Sequence, residues 1–262
     1  MKQFLLTRFN IIISHKLGYS FDTETDRDYL TERFKLFEKY TIPSVADQSA
    51  EDFKWIVLFS DRTPDEFRER INGYEKQYDF FVPRYLGADQ VYPRQYVLRD
   101  SLHGILREFT TERLILTRVD NDDVIAQDYL DNVRKEAEKK GNGTFAINFD
   151  YGLQYDEDTG ILIRYHRPHN HFFSICTDMD DTFMDPLCQH HENIEKTMEL
   201  YVSDNKRPQW MEVLHGGNVK NFSHAKPINI IRKGKKIKNF GCMDDLYRRN
   251  TFSAYLQVLK DW

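Results

Sequence analysis

An α/β fold on a doubly wound, mostly parallel sheet is what this sequence predicts, on three observations. The first half alternates apolar, strand-like runs with amphipathic helical segments, in the order β-α-β-α-β-α-β-α. Two of those runs, Phe53-Lys-Trp-Ile-Val-Leu-Phe59 and Leu114-Ile-Leu-Thr-Arg-Val119, carry apolar residues on both faces, as strands do inside a parallel sheet. The second half changes to short strands and polar turns, the composition of a smaller half built beside the sheet.

Each element has its own signal. Residues 3–13 carry Phe4, Leu5, Leu6, Phe9, Ile11, Ile12 and Ile13, a buried strand and its continuation. Leu30, Phe34, Phe37 and Thr41 fall at helical spacing, and Pro43 should kink or divide that helix. After the Phe53–Phe59 run, Thr63-Pro-Asp-Glu66 reads as a helix start with Thr63 as cap, Pro64 at the first helical position and Glu66 completing the capping box. Phe80-Phe-Val82 marks a short strand. Leu98, Leu102, Ile105, Leu106 and Phe109 make an apolar helix face. The Leu114–Val119 strand runs into Asp120-Asn-Asp-Asp123, and Ile125, Tyr129, Leu130 and Val133 define the next helix. Residues 144–149, 153–155 and 161–165 read as short strands, and a polar His- and Asp-rich segment fills 166–192. A late strand at 210–214 and a closing helix over 244–262 complete the chain.

Composition narrows the function classes. The chain has 262 residues, enough for one large α/β domain, and 40% hydrophobic with 30% charged residues describes a soluble globular protein. A formal net charge of −5 argues against a nucleic-acid partner. The one basic run, Arg232, Lys233, Lys235, Lys236 and Lys238, is a solvated loop or a contact with phosphates or an anionic membrane face. Three cysteines, an odd number with no C-x-x-C pair, suit a reduced, cytoplasmic chain. A strand starting at Gln3 leaves no room for a signal peptide, and no apolar run reaches transmembrane length.

Ligands of open α/β sheets bind beyond the carboxyl ends of the strands. Asp120, Asp122 and Asp123 stand just past such an end. Three carboxylates within four residues repel one another unless a cation or hydrogen-bond donors compensate. A divalent metal bridging a diphosphate meets that need, with Mg²⁺ or Mn²⁺ taking one or two protein oxygens and completing its shell from phosphate and water. An acidic turn capping the following helix at Asp123 accounts for the same residues. A calcium loop does not, because Val124 and Ile125 stand where it needs an oxygen ligand and a glycine.

Before that strand end come Tyr40-Thr-Ile-Pro-Ser44, Gln48-Ser49, Asp52-Phe-Lys-Trp-Ile-Val-Leu-Phe-Ser-Asp61 and Thr63-Pro-Asp65, in that order. With Leu6-Thr-Arg-Phe-Asn10, Thr117-Arg-Val-Asp-Asn-Asp-Asp123 and Trp210-Met-Glu-Val-Leu-His-Gly-Gly-Asn218, the set resembles the GT-A glycosyltransferases over nearly the whole chain, and most closely the putative rhamnosyltransferase family. The resemblance implies a GT-A-type fold as one continuous domain, with residues 1–143 binding the nucleotide sugar and 144–262 forming the acceptor half with the C-terminal helix. It implies transfer of a sugar, rhamnose by the family's name, from a nucleotide diphosphate donor to a saccharide or glycolipid acceptor, with inversion and with Mn²⁺ or Mg²⁺ as cofactor. The protein would act in the cytoplasm or at the inner face of the membrane.

Residue by residue, the resemblance places Asp61 on the nucleobase and Thr7 and Arg8 at the nucleotide, with Arg8 supplying charge to the diphosphate. Arg99 matches a phosphate contact, and Arg118 lies beside the acids to bind or balance them. Asp120 and Asn121 would contact ribose or donor sugar. Asp122 is the first choice as metal ligand, Asp123 a second, and His215 a third, since several GT-A enzymes add a late histidine. Trp210 reads as a core tryptophan or a sugar-stacking ring. Inversion needs a general base, and Asp180 or Asp181 is taken from the stretch Asp178, Asp180, Asp181, Asp185, His190, His191, Glu192. A zinc site at His166, His169 and His171 lacks the matching second pair of ligands. Two other readings share these features: a sugar nucleotidyltransferase, which would want a glycine-rich loop that Leu6–Asn10 lacks, and a non-catalytic module that binds a sugar or a cation.

Overall fold

Strand β1 (Lys2–Arg8) lies between β4 (Leu114–Arg118) and β2 (Lys54–Ser60), parallel to both, and β3 (Phe81–Leu86) closes that edge. The computed structural model describes residues 1–11, 22–91, 95–216, 223–226, 229–231 and 239–243. The basic run at 232–238 and the closing helix expected over 244–262 lie outside the described residues. On the far side of β4 come β9 (Phe173–Thr177), β6 (Phe145–Asn148) and β10 (Glu199–Val202), giving seven strands in the order β10-β6-β9-β4-β1-β2-β3. Six of them run parallel, and β9 runs antiparallel to both neighbours. This is the doubly wound, mostly parallel α/β architecture that the sequence led us to expect.

Side chains alternate across the sheet, so each strand feeds two cores. Leu5, Trp55, Val57 and Ile115 face a layer made of α1 (Arg27–Leu36), α3 (Asp65–Gln77) and α5 (Tyr129–Lys140). Phe4, Leu6, Ile56 and Leu116 face α4 (Gln95–Arg107) through Leu98, Leu102, Ile105 and Leu106. A smaller sheet packs beside the first, in the order β5-β11-β7-β8, from β5 (Val124–Ile125), β7 (Tyr151–Asp156), β8 (Ile161–His166) and β11 (Trp210–Leu214).

Several local expectations shift. The division at Pro43 takes the form of a π turn, Phe37–Thr41, before the short α2 (Ile42–Ala46). Proline brings no N–H to the ladder, and Ile42 N–H reaches back five residues to the Phe37 carbonyl. Thr63 does not cap α3, which starts from Pro64 without a side-chain cap. The buried Thr63 hydroxyl instead donates to the Ser60 carbonyl at 2.7 Å, closing the turn after β2. Ile125 leaves the expected helix and pairs in β5 with Trp210 of β11. Strand β9 sits inside the segment read as polar loop. Its five residues Phe-Ser-Ile-Cys-Thr are all buried, but the surrounding His and Asp residues hide them from a window average. Cys176, Cys188 and Cys242 are not joined in disulfides, and among the described residues no helix is long and apolar enough to cross a membrane.

Candidate active site

Parallel strands β1 and β4 deliver Arg8 and Arg118 to the same edge of the sheet, and the turn after β4 collects the acids there. Val119 N–H still bonds to Leu6 O at 3.1 Å, so residues 120–123 begin where pairing with β1 stops. Asn121 anchors the turn, its side-chain amide donating to Phe9 O at 3.1 Å.

Each acid then takes a different partner. Arg118 donates to both oxygens of Asp120, at 3.0 and 2.8 Å. Asp122 Oδ2 accepts from Arg33 at 2.8 Å and lies 3.0 Å from His215 Nε2. Asp123 Oδ1 accepts from Val213 N–H at 3.0 Å, and its Oδ2 lies 2.7 Å from His171 Nε2. Burial pulls all three carboxyls upward, but Arg118 holds Asp120 well below the ordinary carboxylate range and Arg33 with His215 holds Asp122 down. Asp123 bonds no arginine among the described residues. Burial, and then the charges of Asp122 and Asp120, raise it well above the ordinary value.

One oxygen each from Asp120 and Asp123 and a ring nitrogen of His171 lie within 4.8 Å of one another. This group differs from the expected ligands. Asp122 pairs with Arg33 and with His215 instead, because successive residues of the tight turn send their side chains to different elements. The sequence offers His171 only in a zinc spacing with His166 and His169, because it does not reveal strand β9. Once β9 is known to run antiparallel, the residue before its start must lie at the carboxyl edge of β4, with the acids.

The other candidates separate in the same way. Thr7 is fully buried and its hydroxyl is spent on Val119 O (2.8 Å) and Trp55 Nε1 (2.9 Å), so it faces no ligand space. Arg8 makes no hydrogen bond or ion pair among the described residues, and burial beside Arg118 pushes its pKa down to about 10. Asp61 is exposed at the end of β2, beside Gly87, where an added Cβ would meet Asp61 Oδ2 at 3.0 Å and Asp89 Oδ1 at 2.7 Å. Arg99, on α4, pairs with its neighbour Asp100 at 3.0 Å. Trp210 is a core residue, 1% exposed, and stacks on Phe172.

Asp180 and Asp181 fall at the wrong edge. Antiparallel β9 ends with Thr177 opposite Leu114, the first residue of β4, and Asp178 there bonds Arg113 at 3.1 Å. Met184 N–H returns to Thr177 Oγ1 at 3.1 Å, so the intervening loop stays at that edge. Asp180 accepts from Thr182 in a local turn, and both acids are exposed. Neither can serve a reaction at the carboxyl ends of β1 and β4.

The family described as putative rhamnosyl transferase matches residues 6–227. No curated protein matches the chain. Among solved structures, S. aureus TarS 1-349 in complex with UDP-GlcNAc is 11% identical, over 83% of this chain and 60% of that one, with a TM-score of 0.47. A putative nucleotide-diphospho-sugar transferase from Desulfovibrio desulfuricans G20 is 9% identical, over 81% of each chain, with a TM-score of 0.38. The chain thus spans about 60% of the length of TarS 1-349. The family match takes in Arg8, the acidic strand end, His171 and His215 together, and the chain belongs to the putative rhamnosyl transferase family of glycosyltransferases.

Proposed function

We propose that this chain transfers a sugar from a nucleoside diphosphate donor to a saccharide or glycolipid acceptor with inversion, aided by Mn²⁺ or Mg²⁺. One observation carries the reading: Asp120, Asp123 and His171 converge within 4.8 Å at the carboxyl edge of the sheet, beside Arg8, whose guanidinium makes no hydrogen bond or ion pair among the described residues. The donor set fits a divalent ion. Two carboxylate oxygens suit Mg²⁺ or Mn²⁺, and the imidazole favours the softer Mn²⁺. Asp123 bonds no arginine or lysine among the described residues, and a bound ion would supply a cation there while drawing charge from the departing diphosphate. Arg8 is the side chain placed to meet that diphosphate, Asp61 marks the nucleobase end at β2, and Arg99 is a second phosphate contact. Rhamnose as the donor sugar follows the family description. Residues 1–143 form the donor half and 144–262 the acceptor half, with His171 joining the ion site from the second.

A panel of UDP-, dTDP- and GDP-sugars with and without Mn²⁺ tests the reading by thermal shift. A donor at a hundred times its Kd should stabilise the fold by about 2.7 kcal/mol, and only with the metal present. No stabilisation by any of them would reject the assignment.

Two further outcomes follow from the electrostatics. Arg8→Gln should weaken nucleoside diphosphate binding roughly 10- to 100-fold, the worth of a charge-assisted hydrogen bond, without lowering stability, since burial and Arg118 outweigh the attraction of Asp120 and Asp185 for the guanidinium. Unchanged affinity by calorimetry would remove Arg8 from the site. The second concerns pH. Asp123 is raised, so a proton competes with the cation for its carboxylate, whereas Asp120 is already ionised and His171 is kept neutral, chiefly by burial. Mn²⁺ affinity should therefore climb as pH rises and level off above the raised pKa of Asp123, with proton release on binding. Calorimetry in buffers of different ionisation enthalpy reads that proton, and its absence at every pH would take Asp123 out of the ligand set.

A further inference from the structure

Beyond His171 stands a second imidazole that the ion site does not use. His191 opens the 3-10 turn His191–Lys196, and its Nδ1 lies 2.5 Å from the His169 carbonyl oxygen. A carbonyl only accepts, so Nδ1 carries the hydrogen and Nε2 keeps the lone pair. Among the described residues no hydrogen bond or ion pair occupies Nε2. The ring is half-buried, and its centre is 6.2 Å from that of His171, which touches Asp123.

The carbonyl that fixes this tautomer is itself held in place. His169 has φ of 54°, in the left-handed region that costs a residue with a Cβ. Next to it, the fully buried Asn170 donates to Asn148 Oδ1, Phe149 O and Arg167 O, each at 2.9 Å, and accepts from Phe172 N–H at 3.0 Å. One locked residue thus aims His169 O at His191 and sets His171 against Asp123. Around His191 the charged groups are Arg118 and Arg167, with His171 beside them. All three lie close enough to act on the ring through their charge.

Resting on the glycosyltransferase reading, we propose that His191 is the general base of the transfer. Its Nε2 takes the proton of the acceptor hydroxyl as that oxygen attacks the anomeric carbon of the donor sugar. The new C–O bond forms as the bond from the anomeric carbon to the β-phosphate oxygen breaks. The nucleoside diphosphate leaves with the electron pair, and the imidazolium then gives its proton to water.

His191→Asn tests this, because the asparagine amide can still donate to the His169 carbonyl while the base nitrogen is gone. Three measurements are made on wild type and variant: binding of UDP, dTDP and GDP with Mn²⁺ by calorimetry, release of nucleoside diphosphate from the matching sugars with water or mixed saccharides as acceptor, and the ¹⁵N shifts of the imidazole nitrogens in labelled wild type. The expected result is affinity within twofold, donor KM unchanged, kcat lowered 100-fold or more, and a His191 signal with hydrogen on Nδ1. A kcat within a few fold of wild type, a hydrogen on Nε2, or a variant that loses nucleotide binding along with turnover would each overturn the proposal. A wild type that neither binds nor consumes any donor would overturn the glycosyltransferase reading, and the base with it.

Discussion

Asp123→Asn should cost 1,000-fold or more in Mn²⁺-dependent donor turnover while leaving the metal-free protein as stable as wild type, or more so. Asparagine keeps the shape of the side chain, and its oxygen can still accept from Val213 N–H, the bond that Asp123 makes at 3.0 Å. What disappears is a buried negative charge that burial, Asp122 and Asp120 all disfavour. A carboxyl whose folded pKa is raised costs stability as the pH climbs past its unfolded value, and in full above the raised one, so removing it does not harm the fold. The charge is nonetheless what the ion needs, and a carboxamide oxygen is a weaker ligand for a hard cation. Asp122→Ala should show the reverse pattern. Arg33, only 15% exposed in its side chain, would lose its partner at 2.8 Å. An uncompensated buried charge costs about 3–5 kcal/mol, so this variant should melt early while a folded remainder still binds Mn²⁺ through Asp120, Asp123 and His171. Paired melting curves with and without Mn²⁺ separate the two residues. Should Asp123→Asn bind Mn²⁺ as wild type does and Asp122→Ala fail to, the ligand set reverts to the one centred on Asp122.

That division between neighbouring acids also shows where sequence reading stops. The sheet was legible because β1, β2 and β4 are apolar on both faces, which few other environments demand. The acids could be placed at a strand end by the same logic. Which acid meets which partner depends on Arg33, 89 positions away from Asp122, and on His171, 48 positions from Asp123, and no local pattern encodes either contact. The misplaced base has a single cause. Without β9, residues 166–192 looked like one continuous loop on the ligand side. One short antiparallel strand inside that segment carries residues 178–184 to the opposite edge, leaving His171 before the strand and His191 well after it on the side of the acids. Thr63 failed as a cap for a similar reason, since its hydroxyl had a nearer acceptor in a turn that the sequence does not display.

Gly152→Ala should be the most damaging single methyl group in the chain. A Cβ at that point of β7 would meet Trp210 Cδ2, Cε3 and Cε2 at 2.2, 2.3 and 2.4 Å, distances no side chain tolerates. The indole has nowhere to retreat. It is 1% exposed, stacks on Phe172 with centroids 5.0 Å apart and planes at 13°, meets the edge of Tyr165 at 5.8 Å, and donates from Nε1 to Phe149 O at 2.6 Å. Ordinary overpacking costs about 1–3 kcal/mol, and expelling a core tryptophan costs about 3–5; a rigid contact this short should fall in the upper range. At about 2–4 °C per kcal/mol for a chain of this size, the melting temperature should drop by roughly 10 °C. The damage should also reach the ion site, because Phe172 adjoins His171 and β11 supplies the Val213 N–H that holds Asp123. Residual folded protein should therefore bind Mn²⁺ more weakly. Adding Trp210→Phe, which leaves a smaller ring against Gly152, should recover part of the lost stability if the clash is direct. A melting temperature within 2 °C of wild type for Gly152→Ala alone would mean that the indole can move aside from β7 at little cost.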